Sequence, residues 1–200
     1  MLKVGLTGGI GSGKSYCANF FRLLGIPIYE SDSKAKDLMV HNAEVIDAIT
    51  DLFGRNAYHD DGSLNRAYLA KGIFSNPSLR QQINDIVHPA VAHDFTTWFS
   101  LQSDIPYVLQ ESALLIEIGA IDRFDKMIVV DAHLDVRIQR IMERDKATAH
   151  HVRERIQSQL QASEKLRHAD FVISNDGRGV IRQVLDIHLE LSKHVQKADR

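Results

Sequence analysis

The stretch Leu2-Lys3-Val4-Gly5-Leu6-Thr7-Gly8-Gly9-Ile10-Gly11-Ser12-Gly13-Lys14-Ser15 decides the fold: a short apolar run leads into a glycine-rich loop of the pattern G-x-x-x-x-G-K-[ST]. Glycines let the backbone turn its amides toward phosphate oxygens, and a helix after such a loop offers unpaired N–H groups and a positive dipole end to an anion. The residues that follow read as that helix, because Cys17, Phe20, Phe21 and Leu24 recur at i, i+3, i+4 and i+7 and Gly25 supplies a stop. Lys14 is then expected to reach the β- and γ-phosphates of a nucleoside triphosphate, and the Ser15 hydroxyl to ligate the accompanying magnesium ion.

Outward from the loop, four more apolar runs read as buried parallel strands, at 26–29, 107–109, 127–130 and 171–173, with helical patterns between them. This alternation predicts an α/β fold, a doubly wound five-stranded parallel sheet with helices on both faces and ligands at the carboxyl ends of the strands. The second and third strands stand about 75 residues apart, far more than one crossover helix needs. We therefore expect a core of residues 1–32 and 103–200 and a helical insert at 33–102. Within the insert, Val45, Ile46, Ile49, Leu52 and Phe53 form one helical face ended by Gly54. Asp60-Asp61-Gly62 reads as a turn, and Asn76-Pro77 opens a helix carrying Leu79, Ile83, Ile86 and Val87.

Composition narrows the class. A chain of 200 residues can bury a substantial core without staples, and its single cysteine, Cys17, falls on the apolar face of the first helix as a packing residue. One thiol fits a reducing compartment, and no apolar run approaches a membrane span, so a cytoplasmic address is expected. Met1 leads straight into the first strand with no leader pattern. A formal charge of -2 argues against nucleic acid as the main partner.

Two clusters carry candidate chemistry. The second strand ends Tyr29-Glu30-Ser31-Asp32, which delivers carboxylates to the edge beside the loop, and strand alternation would turn Glu30 and Asp32 to the same side. Asp32 suits a proton acceptor for a hydroxyl substrate or a magnesium-ordering group; it also suits a cap for a helix beginning near Lys34. Asp131, at the end of the fourth strand, is a rival carboxylate whose place suggests anchoring of the segment after it. That segment, about 133–165, carries Arg137, Arg140 and Arg144 on one helix face, then Asp145, His150-His151, Arg153 and Arg155, with Arg167 just beyond. Beside a phosphate loop, such a stripe reads as a lid whose guanidiniums come down on a transferring phosphoryl group.

Taken in order, these motifs closely resemble the dephospho-coenzyme A kinase family over about residues 3–180. The opening Val4 to Ser15 is similar to that family's, and its D-A-D has Glu30-Ser31-Asp32 in its place, with Glu for the first Asp. Asp61-Gly62-Ser63-Leu64-Asn65-Arg66 resembles its D-G-x-L-[DN]-R, Phe74-Ser75-Asn76-Pro77 its F-x-[ND]-P and His88-Pro89 its H-P. Ala113-Leu114-Leu115-Ile116-Glu117 stands for P-L-L-x-E without the proline. Arg140 to Asp145 matches R-x-x-x-R-D, Arg155 to Gln159 matches R-[IM]-x-x-Q, and Ala169 to Gly177 matches A-D-x-V-I-x-N-x-G. Tyr16 stands where Thr or Ser is commoner.

The resemblance implies a P-loop kinase that phosphorylates the ribose 3'-hydroxyl of dephospho-coenzyme A with ATP and magnesium; a monomer is expected, with an oligomer left open. It implies that Asp32, Lys14 and Arg140 are catalytic, and that Gly11, Ser12, Gly13, Ser15, Tyr16, Arg144 and Asn175 bind nucleotide. Asp32, Arg66, His88, Leu114 and Glu117 would face the acceptor. Another small-molecule or nucleoside monophosphate kinase would share the core, but the matches from Asp61 to Pro89 belong to the acceptor-binding part. A GTP-driven switch lacks its base-recognition motif here, and no histidine falls at zinc-site spacing.

Overall fold

The computed structural model describes residues 1–76 and 78–196, and in it the opening run becomes β1 (Leu2–Thr7), the central strand of a five-stranded parallel sheet. The other strands are β2 (Ile28–Glu30), β3 (Tyr107–Glu111), β4 (Lys126–Asp131) and β5 (Phe171–Ser174), in the order β2-β3-β1-β4-β5. Leu6 is paired with Glu111 of β3 on one side and with Ile128 of β4 on the other, so the loop after β1 emerges between two strand ends. The chain winds first toward β2 and then back across β1 to β4, the reversal that opens a crevice at the carboxyl edge of such sheets.

Alternation sorts the side chains. Ile128 and Val130 of β4 join Val4, Leu6, Tyr107, Leu109 and Ile173 on one face, packed with Cys17 and Phe21 of α1 (Lys14–Leu23) and Val184 and Leu191 of α9 (Val180–Gln196). Met127 and Val129 turn to the other face and meet Leu115 and Ile116. Each fully buried side chain of this kind contributes roughly 1.5–3 kcal/mol, which is why the interior strands read as nearly unbroken apolar runs. The second strand starts later than its apolar run suggested: Pro27 has no N–H to pair and offers only its carbonyl, which accepts from Leu109 N–H at 3.0 Å. Three further helices follow β4: α6 (Leu134–Asp145), α7 (Ala149–Gln157) and α8 (Ala162–Leu166).

The chain divides into two compact units, one of Met1–Glu30 with the residues from Ser103 onward, the other Ser31–Gln102. The second unit is helical: α2 (Ser31–His41), α3 (Ala43–Phe53), α4 (Arg66–Ser75) and α5 (Ser78–Ser100). Asn42 and Asn65 cap α3 and α4 with side-chain oxygens that accept from Val45 N–H and Tyr68 N–H, both at 3.1 Å. Val45, Ile49 and Phe53 form the buried face of α3, and Gly54 ends it with φ 83°. Pro77, expected to open the long helix with Asn76, lies outside the described residues. From Ser78 the helix buries Ile83, Val87, Val91 and Phe95 and runs on through Pro89 for 23 residues. Among the described residues no helix is long and apolar enough to cross a membrane.

Candidate active site

The phosphate loop leaves β1 at Thr7 and enters α1 at Lys14. Gly13 caps that helix in the left-handed region (φ 91°, ψ 31°), and a Cβ there would run into the Asn175 side chain. Asn175 follows β5, is 3% exposed, and donates from Nδ2 to the Ser12 carbonyl at 2.8 Å and from its backbone N–H to the Asp131 carbonyl at 2.8 Å. Arg140 of α6 donates to the Asn175 carbonyl at 2.9 Å and to the Ser12 carbonyl at 3.4 Å. The loop after β1, the ends of β4 and β5 and one arginine of α6 are thus joined through three carbonyls, those of Ser12, Asp131 and Asn175.

Around this joint lie two cavities. One, of about 190 Å³, is bounded by Gly11, Gly13, Lys14, Ser15, Tyr16, Arg140 and Arg144. The other, of about 490 Å³, lies between Gly13, Tyr16, Arg140, Asn175 and residues 177–181. Lys14 is nearly buried, with Nζ 3.5 Å from the Gly9 carbonyl, and Ser15 and Tyr16 are exposed at the head of α1. The Tyr16 ring stands edge-on to Phe20 at 4.8 Å. Beneath the loop, burial pushes the Cys17 thiol up to about 12 against the pull of Arg140 and Lys14, so it stays a neutral packing group.

The arginine stripe divides into three different tasks. Arg137 is 7% exposed and donates from Nε to the Ile10 carbonyl at 3.0 Å; burial lowers its pKa and Asp131 opposes that shift. Arg140 holds the joint just described. Arg144 is exposed and donates to Asp145 at 2.7 Å, and Arg155 of α7 reaches the same carboxylate at 2.6 Å. Those hydrogen bonds, Arg144's first and Arg155's next, hold the Asp145 carboxyl far below the usual carboxylate range. His150 and His151 are exposed.

Asp32 requires a correction. β2 ends at Glu30 and Ser31 already opens α2, so strand alternation does not reach Asp32; it is an exposed first-turn residue of a helix that begins three residues before Lys34. An acid in a first turn is favoured by the helix dipole. In the same helical unit, Arg66 is the exposed first residue of α4 and His88 is a half-buried residue of α5 next to Pro89, which lines a cavity of about 610 Å³ with Leu38, Val45, Ile86 and His93. In the sheet unit, Leu114 and Glu117 lie in the loop after β3. Glu117 pairs with Lys165 of α8 at 2.5 Å and accepts the Leu160 N–H at 3.3 Å, while Lys165, 1% exposed, also donates to the Ala113 carbonyl at 2.8 Å. The holding of Ile10 in the phosphate loop by Arg137 and Gln159, and of the loop after β3 by Lys165, is absent from the motif reading. Its one signal was polar or cationic residues interleaved with the apolar residues of the 133–166 segment.

A glycine-rich loop at the end of the central strand of a parallel β2-β3-β1-β4-β5 sheet, with a lysine at the helix head and arginines arriving from α6, defines a P-loop kinase. The dephospho-CoA kinase family model matches residues 2–180. The chain belongs to the dephospho-CoA kinase family, and its reaction is the final step of coenzyme A biosynthesis. A dephospho-CoA kinase of Bacteroides fragilis is 36% identical over 187 residues, spanning 93% of this chain and 91% of the relative. A Thermus thermophilus protein of solved structure superposes with a TM-score of 0.83 at 29% identity, over 94% of this chain and 96% of that one. The dephospho-CoA kinase from Campylobacter jejuni, at 24% identity and a TM-score of 0.72 over 96% of this chain and 98% of its own, shares the fold.

Proposed function

We infer that the chain transfers the γ-phosphoryl group of magnesium ATP to the ribose 3'-hydroxyl of dephospho-coenzyme A, with the donor at the phosphate loop and the acceptor taken up by the helical unit. The observation that carries the donor half is the joint of Gly13, Lys14, Arg140 and Asn175 beside the two cavities. The residues fit a nucleotide and its metal. A Cβ at Gly13 would collide with the Asn175 amide that holds the loop, the Ser15 hydroxyl is exposed at the helix head, and the buried Thr7 and Ser12 hydroxyls have no partner among the described residues. Magnesium, held by the Ser15 hydroxyl, would shield the charge of the β- and γ-oxygens.

Asp32 accepts the proton as the 3'-oxygen forms its bond to the γ-phosphorus. The bond from that phosphorus to the β,γ-bridging oxygen breaks, and ADP leaves with the electron pair. Lys14 and Arg140 stabilise the charge on the transferring group, Gly11, Ser12, Gly13, Tyr16, Arg144 and Asn175 bind the nucleotide, and Arg66, His88, Leu114 and Glu117 serve the acceptor side. The chain acts as a cytoplasmic monomer, and closure of the 133–165 segment keeps water from the γ-phosphate.

The test is ADP release from magnesium ATP across dephospho-coenzyme A, adenosine, nucleoside monophosphates, shikimate and no acceptor, on wild type and Asp32→Asn. We expect turnover with dephospho-coenzyme A alone, and in the variant a loss of about 10²–10⁴-fold with ATP binding retained. Full turnover in Asp32→Asn removes that residue from the mechanism, and activity only with another acceptor removes the substrate.

A further inference from the structure

The tip of the phosphate loop is held by two side chains to which the reaction above gives no part. Ile10 donates its N–H to Gln159 Oε1 at 2.8 Å and accepts at its carbonyl from Arg137 Nε at 3.0 Å. Its side chain packs against the small cluster of Ile138, Ile141 and Val152. One loop residue therefore has both backbone polar groups and its side chain engaged by α6, α7 and the turn after α7. The fit is close: a Cβ on Gly9 would collide with the Arg137 guanidinium and force it to shift.

A loop rich in glycine samples many conformations when free, and fixing them costs conformational entropy at every residue. A ligand that must order the loop loses affinity by that amount, and a loop ordered beforehand spares it. Arg137 and Gln159 enter from two sides of the 133–165 segment, so the loop's order depends on that segment being seated.

We propose that Gln159 and Arg137 are positioning residues that preset the phosphate loop for the donor's phosphates, and that seating of α6 and α7 thereby raises affinity for the donor and not for the acceptor. The proposal rests on the reading of the loop as the donor site.

Three variants separate the two. Gln159→Met keeps the side-chain length and removes the acceptor, Arg137→Lys keeps the charge and removes Nε, and Lys14→Met tests the donor site itself. Steady-state kinetics with both substrates, thermal melting and amide hydrogen exchange at Ile10 are read for each. For Gln159→Met we expect KM for magnesium ATP to rise about fivefold, the worth of one hydrogen bond, with KM for dephospho-coenzyme A and kcat within about twofold. Exchange at Ile10 should quicken while protection in β1 is kept, and Arg137→Lys should move the same quantities in the same direction. An unchanged KM for ATP in Gln159→Met, an equal rise for both substrates, or a general loss of protection across β1 and β4 overturns the proposal. An unaltered Lys14→Met sinks the donor-site reading, whereas a silent Gln159→Met beside an inactive Lys14→Met sinks only the positioning role.

Discussion

Gly13→Ala is expected to cost far more than the addition of one methyl group, and the structure says where the cost arises. Residue 13 sits at φ 91°, where an L side chain is strained by roughly 1–2 kcal/mol. The new Cβ would also displace the Asn175 amide, which at 3% exposure has no room to swing aside and which holds the Ser12 carbonyl at 2.8 Å. Leaving that buried pair unmade adds roughly 1–3 kcal/mol, for a total of about 3 kcal/mol. Asn175→Ala alone removes the same hydrogen bond and costs about 2 kcal/mol. In the double variant the collision is gone and only the backbone strain adds, so the pair should cost about 3 kcal/mol, short of the additive sum by about 2 kcal/mol. Urea unfolding of the four proteins, with an unchanged m-value, measures this cycle. Additivity within about 0.5 kcal/mol would show that Gly13 and Asn175 are not in steric contact and would refute the account of the joint.

Lys165→Met should destabilise the chain by about 1–3 kcal/mol in urea unfolding, because it leaves the partly exposed Glu117 carboxylate and the Ala113 carbonyl without their donor. Adding Glu117→Leu should recover most of that loss, and a double variant as unstable as the single one would contradict a paired role. Asp145 sets a pH dependence. Its folded pKa is depressed by Arg144 and Arg155, so its favourable contribution is complete above the unfolded value near 4 and is lost as pH falls through the lower folded value. The melting-temperature gap between wild type and Asp145→Asn should be widest near pH 7 and shrink below about pH 4, and a gap that widens with acid would reverse the assignment.

The sheet was legible because its signals are local. Val4, Leu6 and both apolar pairs of β4 are buried because the sheet is covered on both faces, which leaves nearly unbroken apolar runs in the sequence, and residues 31–102, between β2 and β3, form a compact unit of their own. Elements whose ends depend on one backbone group were read less well: Pro27 moved the start of β2, and Ser31 began a helix where a continuing strand was expected. The arginines show a further limit. Arg137, Arg140 and Arg144 share a helix face in sequence, yet one holds the loop tip, one the β5 end and one an aspartate, because their partners come from distant segments that no periodicity reports. Motif spacing located the loop, while the side chains that hold its tip became visible only in three dimensions.

Those distant partners also bear on how the protein is made. Arg137, Gln159 and Asn175 lie 127, 149 and 163 residues beyond the loop residues they bind, and the 31–102 unit is synthesised between them. Domains fold from the N-terminus as the ribosome delivers them, and contacts of high sequence separation close late. The loop therefore leaves the ribosome well before the residues that complete its contacts. A chain arrested before residue 175 carries the entire nucleotide motif with its set of holding contacts unfinished.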